Sequence, residues 1–251
     1  MLLLRSLLFT IAGVLVTIFY GIFTVPLSII HHDIGNACAR GWGRQILRLA
    51  KYICGIDYEV RGMENIPARP CVMMSKHQSA WETVGILVNM PACVWVIKKE
   101  LSYVPIIGWV LVGLRSIAID RGSGKTARDQ ILEQGRDRLA RGLWVSIFPE
   151  GTRVAPGEKK RYGIGGAYLA AGAGADIVPI AHNAGDVWRR NAFVKYPGKI
   201  TMSIGPVIRV EGRDANVLIK LTEAWIEGEM ARLPNARSAS SRPASSANVR
   251  P

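Results

Sequence analysis

From Ser6 to Ile30 the chain carries no charged side chain, whereas beyond Asp57 its apolar positions gather into short runs broken by polar turns. As a helix the opening stretch would extend roughly 37 Å, enough to cross a bilayer core with some tilt. Pro26 is expected to kink or end it. A cleaved signal peptide is the rival, because Ala37-Cys38-Ala39 has the small-x-small look of a cleavage site. The apolar region is too long for one, and His31-His32-Asp33 interrupts the approach, so a retained anchor is expected, spanning or re-entrant. Those three residues read as interfacial groups capping a membrane helix rather than as metal ligands. In residues 36–54, Arg40, Arg44, Arg48 and Lys51 recur on one side and Trp42, Ile46, Leu49 and Ile53 on another. This is the pattern of a basic amphipathic helix lying in a membrane interface, preferred here to one packed on the soluble domain.

From Tyr58 to about Leu233, strand-like and helix-like segments alternate. Strands are expected at 58–61, 71–75, 94–97, 116–119, 143–148, 177–181 and 199–204. Helices are expected over 125–141, with Ile131, Leu132, Gly135 and Leu139 on one face, and over 214–232, with Leu218, Leu221 and Trp225. Asp214 is the expected N-cap of the latter. The alternation predicts an α/β fold, a mixed sheet flanked by helices and preceded by a membrane-anchoring helical pair. The chain thus divides into an anchor over 1–56, a catalytic domain over 57–233, and a disordered basic tail over 234–251, rich in Ser, Ala and Pro.

Charge narrows the choice of partners. A formal net charge of +13 implies an anionic one. No Lys/Arg block of five and no zinc-finger or RNA-recognition signature is present, which disfavours nucleic acid. The basic density after residue 40 predicts that the domain faces the cytoplasm from the inner membrane. Cys38, Cys54, Cys71 and Cys93 are too widely spaced for a metal knuckle or redox pair and read as free thiols.

The candidate chemistry lies in the polar residues at the exit of each apolar run. His77 and Glu82 come after the second run, Lys98-Lys99-Glu100 after the third, Asp120-Arg121 after the fourth, and Pro149-Glu150-Gly151-Thr152-Arg153 after the fifth. In α/β sheets ligands bind beyond the carboxyl ends of the strands, so these groups would converge on one crevice. On a continuous helix, residues five apart lie about 140° apart. His77 and Glu82 can therefore pair only if His77 sits in the turn and Glu82 in the first helical turn. A lone histidine is more often structural, and single arginines more often lie on the surface. Arg153 gains weight from the tight Glu150-Gly151-Thr152 turn that would aim its guanidinium at a phosphate. The Gly122-Ser123-Gly124-Lys125-Thr126 stretch imitates a phosphate loop, but Ile119 occupies the position where the pattern requires glycine. No G-x-S-x-G elbow occurs, which disfavours an α/β hydrolase.

Together these blocks resemble the glycerolipid acyltransferase family, specifically its bacterial 1-acyl-glycerol-3-phosphate acyltransferases. The resemblance rests on His77 with Glu82, Ile119-Asp120-Arg121, Phe148 to Arg153, and Val178-Pro179-Ile180-Ala181. It rests also on Lys98 to Leu101 with Pro105 to Trp109, and it covers residues 58–210. The family's usual aspartate is Glu82 here, and Gly163 stands where relatives often carry lysine. The resemblance implies acyl transfer from acyl-CoA or an acyl carrier protein to the sn-2 hydroxyl of a lysophosphatidate, with no acyl-enzyme, cofactor or metal. It implies His77 as base, Glu82 as its orienting group, Arg121, Arg153 and Lys98 as phosphate ligands, and Glu150, Gly151 and Thr152 as a supporting turn. Backbone N–H groups near Gly151 are expected to hold the oxyanion. Another lysophospholipid or an acylated amino-acid lipid is the alternative acceptor. A non-catalytic membrane lipid-binding protein is the rival from another class.

Overall fold

The seven apolar runs form one sheet in the computed structural model, which describes residues 1–120 and 126–238. The strands are β1 (Ile56–Arg61), β2 (Val72–Ser75), β3 (Cys93–Lys98), β4 (Ile117–Ile119), β5 (Trp144–Ile147), β6 (Ile177–His182) and β7 (Gly198–Ile204). Their order is β1-β7-β6-β2-β5-β3-β4. Neighbours run parallel except β6 and β7, so the sheet is mixed, as expected. The helices are α1 (Leu2–Ile30), α2 (His32–Cys54), α3 (Trp81–Asn89), α4 (Ile107–Gly113), α5 (Ala127–Ala140), α6 (Gly165–Ala173) and α7 (Ala215–Arg232).

A parallel strand covered on both faces must be apolar on both, and β2 obeys this rule. Met73 faces a core with Trp81, Ile86 and Ile180, under α2 and α3. Met74, next in the chain, faces Ile131, Leu169 and Leu218, under α5, α6 and α7. Asp214 caps α7 as expected, accepting from the N–H groups of Asn216 and Val217. The buried face of α7 differs from the one read in the sequence: Leu218, Thr222 and Ile226 are buried, and Leu221 is exposed. The Thr222 hydroxyl donates to Leu218 O at 2.8 Å, which removes the cost of burying it.

The amino-terminal elements depart further from expectation. α1 runs through Pro26 without ending, and its last turn meets α2 at the single residue His31. The two helices cross where Gly35 leaves no room for a side chain against Ser28. The apolar stripe of α2 does not face outward. It packs on α1 and α3, with Gly43 seated against Val84, Leu87 and Val88, and Arg40 donates to Val88 O at 3.0 Å. The sequence pattern of α2 is that of an amphipathic helix, and protein rather than lipid covers its apolar side. Arg44 and Arg48 remain exposed on the other.

The expected tail boundary also moves. Pro234 O accepts from Asn183 Nδ2 at 2.7 Å, and Ala236 is fully buried with its carbonyl accepting from Lys199 N–H at 2.8 Å. The chain thus packs along β7 beyond residue 233, and the rest of the expected tail, 239–251, lies outside the described residues. All four cysteines are free, and burial pushes the Cys71 and Cys93 thiols up to about 11 and about 12.

Candidate active site

Five strands present their carboxyl ends at one edge of the sheet because β6, β2, β5, β3 and β4 run parallel. β2 lies at the middle of the order, and His77 stands just beyond its end, in the turn before α3. Glu82 occupies the first turn of α3 and is fully buried. His77 Nδ1 lies 2.7 Å from Glu82 Oε1, the same oxygen that accepts from Gln78 N–H at 3.1 Å and Ser79 N–H at 3.0 Å. Ser79 Oγ in turn accepts from Trp81 N–H at 3.1 Å. Ser79 and Glu82 thus both bond backbone N–H groups at the entry to α3, and the carboxylate that holds this turn also orients the imidazole. With two backbone N–H groups on the same oxygen, Nδ1 is the ring nitrogen that donates to Glu82, and Nε2 is the one turned away from it. Nε2 makes no hydrogen bond among the described residues, and the His77 side chain is 15% exposed.

Packing fixes the ring as firmly as hydrogen bonding does. Phe148, at the end of β5, stacks on the imidazole with centroids 4.0 Å apart and planes 9° from parallel. Trp95 of β3 stacks behind Phe148 at 5.8 Å. The His77 main chain is held at both groups, its N–H donating to Glu150 Oε2 at 2.6 Å and its C=O accepting from Val154 N–H at 2.8 Å.

The turn after β5 has the chemistry of its type. Pro149 presets the second position, and Gly151, at φ 67°, takes the left-handed conformation at the fourth. Gly151 N–H donates to Phe148 O at 3.0 Å. That N–H closes the turn, so it is not itself the oxyanion donor expected in this segment. Glu150 is buried: burial pushes its carboxyl above the ordinary carboxylate range, against the opposing pull of Lys76 and the His77 N–H.

Arg153 follows that turn, one residue before the Val154 N–H that holds His77. Its Nε is buried and makes no hydrogen bond among the described residues. Arg190 Nη1 donates to Arg153 O at 2.7 Å, bringing a second guanidinium beside it. Lys98, at the end of β3, is exposed and stands two strands from β2, about 10 Å away at the usual strand spacing. Lys99, rather than Lys98, pairs with Asp120 at the end of β4. Arg121 lies outside the described residues, as does the glycine stretch through Lys125. The structure thus brings His77, Glu82, Glu150, Gly151, Thr152 and Arg153 together and leaves Lys98 at the margin.

Two groups beside the dyad have no part in the sequence-based site. His182, at the end of β6, is fully buried, donates from Nε2 to Lys76 O at 2.8 Å and accepts Ala184 N–H at Nδ1. Burial pushes its pKa below the ordinary histidine value and keeps it neutral. Lys76 is the other. It is buried, with its ammonium 2.7 Å from Glu150 Oε1 and 2.7 Å from Glu227 Oε1. The described residues contain no group of three His, Cys, Asp or Glu placed to hold a metal.

A base with an unbonded nitrogen and an orienting carboxylate, with arginines in the segment that follows the turn, suit proton removal from an alcohol that carries an anion. Comparison with known proteins agrees with that chemistry. The family model described as Acyltransferase matches residues 57–183. A 1-acyl-sn-glycerol-3-phosphate acyltransferase of Pseudomonas aeruginosa is 45% identical over 197 residues, 77% of each chain. The chain belongs to the 1-acyl-sn-glycerol-3-phosphate acyltransferase family. The human protein named 1-acyl-sn-glycerol-3-phosphate acyltransferase beta is 32% identical over 59% of this chain and 53% of its own length. The crystal structure of the Thermotoga maritima 1-acyl-sn-glycerophosphate acyltransferase, PlsC, superposes with a TM-score of 0.78 at 21% identity. It covers 96% of this chain and 97% of its own, and it shows that the whole fold of this acyltransferase, the helical pair included, is shared.

Proposed function

We propose that this acyltransferase moves a fatty acyl group from a thioester, of coenzyme A or an acyl carrier protein, to the sn-2 hydroxyl of a lysophosphatidate. The proposal is carried by the His77–Glu82 pair with its unbonded Nε2, and the His77 carbonyl is tied to the segment that bears Arg153. His77 Nε2 takes the hydroxyl proton as the substrate oxygen attacks the thioester carbonyl, and Glu82 stabilises the imidazolium. Collapse of the tetrahedral intermediate expels the thiolate, which recovers the proton from His77. The attacking oxygen belongs to the substrate, so no acyl-enzyme forms. Arg153 is assigned to the glycerol phosphate, with Arg121 and Lys98 as further ligands.

A panel of lysolipids and radiolabelled acyl thioesters tests the assignment. Lysophosphatidate is expected to give product, and product from another acceptor alone would transfer the chemistry to that lipid. Arg153→Ala is expected to raise KM for lysophosphatidate at least about tenfold, the scale of a lost charge-assisted contact of about 1.5–3 kcal/mol. An unchanged KM would remove Arg153 from the phosphate site.

The membrane setting has its own support. The inner side of α1 is engaged along its length: Ser6 Oγ accepts from Lys195 N–H, Phe9 packs edge-on against Trp188, and Thr17 accepts from Trp42. Farther on, Gly21 abuts Ile106 and Ser28 abuts Gly113. The outer side leaves Leu4, Leu8, Ile11, Leu15, Ile22 and Phe23 exposed. A helix held to its own domain along one side is not free to cross a bilayer alone. We therefore read α1 as lying in one leaflet of the inner membrane, on its cytoplasmic side. Leu8→Glu with Leu15→Glu is expected to release the protein from anionic vesicles in flotation while leaving its Tm unchanged. Retained flotation would oppose this geometry.

A further inference from the structure

The buried Lys76 ammonium joins three groups that are distant in sequence and meet directly behind the catalytic turn. Glu150 takes Lys76 at Oε1 and the His77 N–H at Oε2, so its two oxygens bridge the ammonium to the backbone of the base. Glu227, on α7, takes Lys76 Nζ at 2.7 Å and the Tyr162 hydroxyl at 2.9 Å on the same oxygen. Tyr162 is itself buried, and its pKa is raised, first by burial and then by the neighbouring carboxylates, so it stays a donor. Two carboxylates more than offset one ammonium; burial opposes the charge on Lys76, and the two partners outweigh it and raise its pKa. Lys76 is also anchored by its main chain, donating to Ile180 O at 3.0 Å and accepting from His182.

Buried charges of this kind add little net stability over apolar packing, because desolvation cancels most of the attraction. What they impose is direction. The ammonium can satisfy both carboxylates only in one place, and that place sets the Glu150 carboxylate against the His77 N–H. Of the four side chains, Glu227 alone comes from outside the segments that build the turn, and it lies beyond the 57–183 region matched by the family model.

We propose that Glu227 is a positioning residue for acyl transfer: through Lys76 and Glu150 it locks the backbone of His77 so that Nε2 meets the substrate hydroxyl. The proposal rests on His77 being the base, and His77→Ala is therefore measured alongside. Glu227→Ala removes the arm that restrains Lys76. Its kcat is expected to fall about tenfold, with KM for lysophosphatidate changed less than twofold. Hydrogen–deuterium exchange at residues 77–79 should quicken while α3 and β6 stay protected. Glu227→Gln, whose amide oxygen still accepts from Lys76 and Tyr162, should recover kcat to within threefold of the parent.

An unchanged kcat in folded Glu227→Ala would overturn the proposal, as would quickened exchange throughout the domain, the mark of a purely structural role. If Glu227→Ala does not fold, Tyr162→Phe replaces it: a kcat lowered two- to threefold at constant KM supports the proposal, and a parental kcat overturns it. Undiminished turnover in His77→Ala would instead refute the assignment of the base.

Discussion

Replacing His77 with alanine is expected to lower kcat by a factor of about 10²–10⁴, the usual contribution of a positioned general base. The fold should survive. The imidazole contributes no side chain to either core cluster, and its main-chain bonds to Glu150 and Val154 do not depend on its ring. The loss should appear in kcat and kcat/KM together, because proton removal occurs only on the way to the transition state. Radiolabelled acyl transfer, with Tm measured on the same sample, checks both halves. A loss below tenfold with Tm unchanged would mean that the hydroxyl attacks without a protein base.

Glu82 should separate two roles that one oxygen performs. In Glu82→Gln the amide oxygen can still accept from Gln78 and Ser79, so the turn before α3 persists and stability should change by less than about 1 kcal/mol. The negative charge opposite the imidazolium is lost, and kcat should fall about 10²–10⁴-fold. Glu82→Ala removes the acceptor altogether. Two buried backbone N–H groups then lose their partner, at about 1–3 kcal/mol each, a loss of about 2–6 kcal/mol in total. Set against a typical domain stability of about 5–15 kcal/mol, that variant approaches unfolding. Denaturant midpoints and turnover measured for the pair give the answer. Equal stability losses in the two variants would show that the turn depends on charge, whereas equal activity with no loss would remove Glu82 from catalysis.

The strands were legible because a buried parallel strand is a short apolar run with few alternatives, as Val72 to Met74 and Ile177 to Ile180 illustrate. The pairing of His77 with Glu82 was legible as a turn-to-helix contact. Ser79 and Glu82 spell an S-x-x-E signature, but only its glutamate half forms, Glu82 taking the Ser79 N–H while Ser79 Oγ takes the Trp81 N–H. Amphipathicity misled in α2, since a period of 3.6 shows which side is apolar and not what covers it. Lys76 and Glu227 were illegible for a different reason: they are 151 positions apart, and no local pattern connects a lysine in a strand exit to a glutamate on the last helix. Gly151's own N–H closes its turn on Phe148 O, so an oxyanion donor in this segment has to be one of its neighbours.

One contact on α1 has a consequence in time rather than in space. Ser6 bonds to Lys195, 189 positions later in the chain. At roughly 5–20 residues per second, the ribosome exposes α1 on the order of 10–40 seconds before the segment that bonds Ser6 exists. In that interval α2 and then α4 can cover part of its inner side, but the sheet is incomplete and the outer apolar side stays uncovered. With α1 in the leaflet as proposed above, lipid takes up that outer side first, and the catalytic domain is completed against a helix already at the membrane.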